Sequence, residues 1–129
     1  MSSGKRILVV DDNVTNLKLV CDVLDWAGYQ VAQAGDAEQA LEAIAAAPPD
    51  LILMDIGLPG MDGLTLTRKL KEDPATRGIR VVALTAFAMK GDEQKTIDAG
   101  CDGYISKPID TRALAGHVAQ WITEEKGKL

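Results

Sequence analysis

The chain has 129 residues, with fourteen basic and nineteen acidic side chains, a formal charge of −5 and a hydrophobic fraction of 47%. That length fits one domain able to bury a substantial core, and with two Trp, two Tyr and one Phe the packing must come from aliphatic side chains and alanine. An acidic chain without a basic stripe is a poor direct binder of nucleic acid, because phosphate contacts dominate that affinity, and the charge is too small to imply disorder.

The first strand is predicted over about Arg6–Val10. Met1-Ser2-Ser3-Gly4-Lys5-Arg6 leads straight into it with no signal-peptide core. No apolar run approaches the roughly 20 residues of a membrane span. The expectation is a soluble, cytoplasmic chain without membrane contact. A helix follows from near Asn13 to Ala27, with Leu17, Val20, Cys21 and Leu24 at helical spacing, and Gly28 in the place of a left-handed stop. Tyr29–Ala34 is a second strand, less apolar and suited to a sheet edge.

Asp36-Ala37-Glu38-Gln39 resembles a capping box for a helix that Ala40, Leu41 and Ile44 continue to about Ala47, where Pro48-Pro49 ends it. Leu51–Met54 is the third strand and Gly63–Glu72 the third helix, read through Leu64, Leu66 and Leu70. Arg80–Leu84, Lys90–Ala99 and Gly103–Ser106 complete the alternation, and Asp110 is expected to cap a last helix packed through Leu114, Val118, Trp121 and Ile122. The pattern is (βα)5: an α/β chain with a doubly wound parallel five-stranded sheet and a single domain. The core spans about 5–122, and a charged tail, 123–129, is expected to fray.

In such a sheet the carboxyl ends of the strands converge on one crevice. Asp11-Asp12, Asp55 and Lys107-Pro108 each follow a short apolar strand, so three carboxylates and one ammonium would meet there. That set suits a divalent cation and a phosphoryl group. Mg²⁺ typically binds through one or two carboxylates, phosphate and water. Asp11 or Asp12 could instead cap the first helix.

Asp55 ends the most apolar strand, and its Gly/Pro loop is expected to leave it exposed. It is read as a nucleophilic carboxylate that accepts a phosphoryl group, with Lys107 neutralising the transferred oxygens; the plainer alternative is an Asp55–Lys107 ion pair. Thr85 and the amide of Ala86 could donate to a phosphoryl oxygen. An X-Pro turn at Lys107-Pro108 could point the lysine back over the crevice. Cys21 and Cys101 lack metal or disulfide spacing and read as small hydrophobes.

The ordered set Asp11-Asp12, Asp55, Thr85-Ala86, Tyr104 and Lys107-Pro108 resembles the receiver domain of two-component response regulators over about Lys5 to Ile122. The loop from Asp55 to Gly63 is similar to that family's phosphoacceptor loop. The resemblance implies a flavodoxin-like strand order 2-1-3-4-5. It implies phosphorylation of Asp55 by a histidine kinase or histidine phosphotransfer protein. It implies Mg²⁺ (or Mn²⁺) held by Asp12, Asp55 and the Gly57 backbone carbonyl, with Asp11 acting through water. It also implies a switch in which Thr85 moves inward and Tyr104 turns from exposed to buried. The change would alter a face of Lys90–Ala99, Gly103–Ser106 and Asp110–Ile122 for a downstream protein. The chain would be no enzyme beyond assisting its own phosphotransfer and dephosphorylation.

Thr85-Ala86-Phe87-Ala88-Met89-Lys90-Gly91-Asp92 is similar to single-domain cell-division receivers (DivK-like) and to receiver modules of hybrid kinases. Phe87, Ala88 and Met89 either form a partner patch or pack under the fourth helix. Gly57 leaves attacking water unhindered whereas Phe87 could shield an acyl phosphate, so slow to moderate hydrolysis is expected. A haloacid-dehalogenase-like phosphatase would need a second Asp where Gly57 stands. Flavodoxin-like cofactor binding conflicts with the acidic loop Asp11-Asp12-Asn13. The lone His117, on or beside the buried face of the last helix, is read as a packing or surface residue rather than a relay.

Overall fold

The computed structural model describes residues 5–58, 60–85, 90–106 and 109–123. Strands β1 (Arg6–Val10), β2 (Gln30–Ala34), β3 (Leu51–Asp55), β4 (Arg80–Thr85) and β5 (Gly103–Ser106) alternate with helices α1 (Val14–Trp26), α2 (Ala37–Ala46), α3 (Gly63–Glu72), α4 (Lys90–Ala99) and α5 (Thr111–Thr123). All strand pairs are parallel and the order is β2-β1-β3-β4-β5. The expected fold, element order and flavodoxin-like strand order are therefore found. Helix α5 includes Thr123, the first residue of the expected tail; the rest of that tail lies outside the described residues.

Strand alternation divides the core into two layers, because successive side chains leave opposite faces of a sheet. Leu8, Val10, Ile52, Met54 and Val81 pack with Ala37, Ala40 and Ile44 of α2 and Leu66 and Leu70 of α3. Ile7, Val9, Leu51, Leu53, Val82 and Leu84 pack on the other face with Leu17, Val20, Cys21 and Leu24 of α1 and Leu114 and Val118 of α5. Strand β3 is buried at all five positions, as a central parallel strand must be. Strand β2 stands at the edge, with four of its five residues at least partly exposed.

The helix ends refine the sequence reading. Neither Asp11 nor Asp12 caps α1: Asn13 does, accepting from the Asn16 amide at 3.0 Å. Gly28 follows with φ +101, the left-handed geometry that glycine adopts without steric cost. Asp36 caps α2 by accepting from the Gln39 amide at 2.8 Å, but the Gln39 side chain reaches the Gly35 amide at 2.9 Å rather than closing a box on Asp36. In α3 the inward positions are Gly63, Leu66, Thr67 and Leu70, so Thr67, not Leu64, fills the core side. Its hydroxyl is satisfied by donating to the Gly63 carbonyl at 2.7 Å.

At the amino end of β4 a polar knot ties α3 to the turn before β5. Lys71 Nζ donates to the Ile79 carbonyl at 2.8 Å and to Asp102 Oδ2 at 3.0 Å, and the same carboxylate oxygen accepts from the Val81 amide at 2.8 Å. Lys71 reaches it across Gly100 (φ +100), where a β-carbon would lie 2.9 Å from Lys71 Cγ. At the start of β5, the Trp121 indole lies against bare backbone: a β-carbon on Gly103 would stand 2.6 Å from the ring.

Candidate functional site

Strands β1 and β3 are neighbours, with Val10 opposite Met54. The residues that follow, Asp11-Asp12 and Asp55, therefore emerge together at the carboxyl edge of the sheet. One carboxylate oxygen from each of Asp11, Asp12 and Asp55 lies within 4.8 Å of the others. Asp11 is 1% exposed and Asp55 7%, while Asp12 is exposed. The burial of Asp55 corrects the expectation that its loop leaves it open: the chain after it folds back instead of away.

Local hydrogen bonds fix both buried carboxylates. Asp11 Oδ1 accepts from the Asn13 amide at 2.9 Å, and the Asp11 amide donates to the Ala34 carbonyl at 3.0 Å. Asp55 Oδ1 accepts from the Gly57 amide at 2.9 Å, and the Ile56 amide donates to the Leu84 carbonyl at 3.2 Å. Helix α3 then starts directly beneath: Asp62 caps it by accepting from the Thr65 amide at 2.8 Å, and the Gly63 amide donates to the Ile56 carbonyl at 3.4 Å.

The donor set fits a hard divalent cation. Three ionisable oxygens gathered this closely repel one another, and a dication relieves that repulsion. Exposed Asp12 leaves one side of the cluster reachable from solvent. A β-carbon on Gly57 would meet Asp55 Oδ1 at 3.5 Å, ordinary contact, so the residue's place in the site rests on its backbone.

Thr85 ends β4 and is 2% exposed, with Ser106 of β5 opposite it. Tyr104 is half-buried on β5 and lines a groove of about 490 Å³ with Ile105, Ile109, Asp110, His117 and Trp121. Ala86, Phe87, Ala88, Met89, Lys107 and Pro108 lie outside the described residues, so the structure does not test their roles.

The family model of the response regulator receiver domain matches residues 7–119. The chain belongs to that family. This receiver is 47% identical over 105 residues to the polar-differentiation response regulator DivK of Brucella anthropi, covering 81% of this chain and 85% of that one. Among solved structures it is similar to a CheY-like response regulator receiver domain protein of Methanospirillum hungatei, with TM-score 0.85 and 32% identity over 93% of this chain and 94% of the other. It is also similar to the signal receiver domain of a signal transduction histidine kinase from Syntrophus aciditrophicus, with TM-score 0.84 and 32% identity over 97% and 98%. Receivers are signalling modules of two-component systems, and they bind Mg²⁺ at an acidic cluster of this kind.

Two features of the receiver leave no signal in residue order, and a third decides between open alternatives. Gly63 opens the third helix as expected, but nothing in residue order shows that its lack of a side chain is what lets α3 sit against the backbone of Asp55 and Ile56. The Lys71–Asp102 pair joins residues 31 apart and leaves no local pattern. His117, expected as a packing or surface residue on or beside the buried face, is the surface one: it is exposed and meets Trp121 edge-on with ring centroids 6.1 Å apart. Among the described residues, no helix is long and apolar enough to cross a membrane.

Proposed function

We propose that this receiver is a phosphoacceptor switch: Asp55 takes a phosphoryl group from a phosphohistidine of a histidine kinase or histidine phosphotransfer protein. The convergence of Asp11, Asp12 and Asp55 within 4.8 Å at the ends of adjacent strands carries this reading. A carboxylate oxygen of Asp55 attacks phosphorus, the bond from phosphorus to the donor nitrogen breaks, and its electron pair returns to the imidazole. The Gly57 amide orients the nucleophile through its bond to Oδ1.

Asp11, Asp12, Asp55 and the Gly57 carbonyl would hold Mg²⁺ or Mn²⁺, which supplies charge neutralisation for the phosphoryl oxygens. Thr85, the Ala86 amide and Lys107 complete that neutralisation. Thr85, drawn toward the phosphoryl group, biases Tyr104 toward its buried position, a shift between two pre-existing states. The readout is a protein partner on the face of Lys90–Ala99, Gly103–Ser106 and Asp110–Ile122, in the cytoplasm, with neither nucleic acid nor membrane touched directly. The chain assists only its own phosphotransfer and dephosphorylation.

The test is intact mass after incubation with a small phosphodonor and Mg²⁺. Wild type gains one phosphoryl group and Asp55→Asn gains none. Acid-labile phosphate undiminished in Asp55→Asn refutes the assignment.

A further inference from the structure

Strand β2 is an unguarded edge. It pairs with β1 alone, and Gln30–Ala34 holds neither a charged residue nor a proline, the side chains that ordinarily keep an edge from templating another strand. Its backbone direction is fixed by β1. The Gln30 amide donates to the Lys5 carbonyl and the Ala34 carbonyl accepts from the Asp11 amide, both at 3.0 Å. Peptide groups alternate along a strand, so Gln30, Ala32 and Ala34 face β1 while the N–H and C=O of Val31 and Gln33 point outward. Ala32 and Gln33 are exposed, and a cleft of about 240 Å³ lined by Leu8, Ala32, Ala43 and Ala47 opens between α2 and the edge.

We propose that β2 pairs antiparallel with the β2 of a second copy of the chain, about a two-fold axis that passes beside Ala32. In that register Val31 faces Gln33 of the second copy and exchanges both peptide hydrogen bonds with it, and the symmetry repeats the exchange. Ala32 meets its own counterpart across the axis, where a small side chain lets the strands close. The charges select the same occupant. Lys5 and Arg6 stand at the amino end of this edge, Arg6 in register with Gln30, while Asp36 and the exposed Glu38 follow its carboxyl end. Antiparallel pairing lays the basic end of each copy beside the acidic end of the other. Asp50 does not cancel this, because it bonds the Arg6 amide and carbonyl, both at 2.8 Å, on the side of β1 turned toward β3. An extended peptide of single charge sign would match one end of the edge and oppose the other. The pairing uses no residue of the acidic cluster or of the Tyr104 groove.

Sedimentation velocity over a dilution series of the full chain tests this, and position 32 reports the register because it faces itself across the axis. Wild type forms a dimer. Ala32→Lys and Ala32→Glu each weaken it by about tenfold or more, since like charges then stand directly opposite. An equal mixture of the two restores association as a heterodimer, in which those charges are opposite in sign. Gln33→Pro also weakens the dimer by about tenfold or more, because it removes an outward N–H. It leaves the β1–β2 ladder whole, since that N–H takes no part in it. All three variants keep the wild-type circular dichroism, the altered side chains being exposed. A wild-type chain that stays monomeric at millimolar concentration overturns the proposal and leaves the edge to an extended peptide of another protein. Charged variants that dimerise as tightly as wild type overturn it too, as does a mixture that associates no better than either variant alone.

Discussion

Gly63 packs so closely under Asp55 that a β-carbon on it would overlap the Asp55 carbonyl oxygen and lie 2.8 Å from the Ile56 Cα. Both neighbours are backbone, which cannot rotate aside as a side chain can. Glycine to alanine in a helix ordinarily stabilises by roughly 0.5–1 kcal/mol. Here the sign reverses: Gly63→Ala is expected to cost about 1–3 kcal/mol in urea unfolding and to slow phosphoryl uptake by tilting Asp55. Gly78→Ala is the control, because a β-carbon there meets nothing within 4 Å. Equal stability of the two variants would refute the close packing.

Asp12→Asn should act with opposite signs in the absence and presence of metal. Removing one of three charges held within 4.8 Å relieves repulsion, so in EDTA the variant is expected to be more stable by about 1 kcal/mol. Mg²⁺ at a hundredfold its Kd should stabilise wild type by about 2.7 kcal/mol and the variant far less. Urea midpoints with EDTA and with Mg²⁺ measure both effects. An unchanged Mg²⁺ response in Asp12→Asn removes that residue from the ligand set.

Cys21 gives the chain an alkaline sensitivity. Burial pushes its thiol from 9.0 up to about 11, aided by the Asp22 charge and opposed by a hydrogen bond with Gln33. Between those values the unfolded chain holds thiolate while the folded chain keeps its proton, so unfolding releases a proton and stability falls as pH rises. The loss is on the order of 2 kcal/mol, complete near pH 11 and absent below pH 9. Cys21→Ala should flatten that part of the profile relative to wild type. Parallel profiles for the two proteins would show that the thiol is not linked to folding.

The Lys71–Asp102 pair is expected to behave as a unit. Lys71→Met strands a mostly buried carboxylate that still accepts from the Val81 amide, at a cost of about 1–3 kcal/mol. Adding Asp102→Asn removes the stranded charge, so the double variant should lose less than the sum of the singles. Strict additivity in urea unfolding would mean that the two side chains do not cooperate.

These sites differ in how far they could be read from residue order. Strands β1, β3 and β4 are legible because a central parallel strand must be apolar on both faces, and Ile7–Val10, Leu51–Met54 and Val81–Leu84 are nothing else. The bounds of α3 and α4 are legible because Asp73-Pro74 and Gly100 end them in chemical terms. The meeting of Asp11, Asp12 and Asp55 follows from topology once the strands are placed in parallel order. What the sequence hides is depth and distance. The burial of Asp55 depends on a loop folding back onto its own strand. The capping of α1 by Asn13 depends on which of three adjacent polar side chains the turn aims at the first amides of the helix.

Trp121 resting on the naked backbone at Gly103 ties two positions 18 apart into one evolutionary choice. An indole can lie there only while position 103 stays bare, and a relative bearing any larger residue at 103 must surrender the aromatic at 121. The two sites should therefore drift together across related sequences, glycine with tryptophan, bulkier residue with smaller. The contour of the Tyr104 groove would be inherited through that exchange.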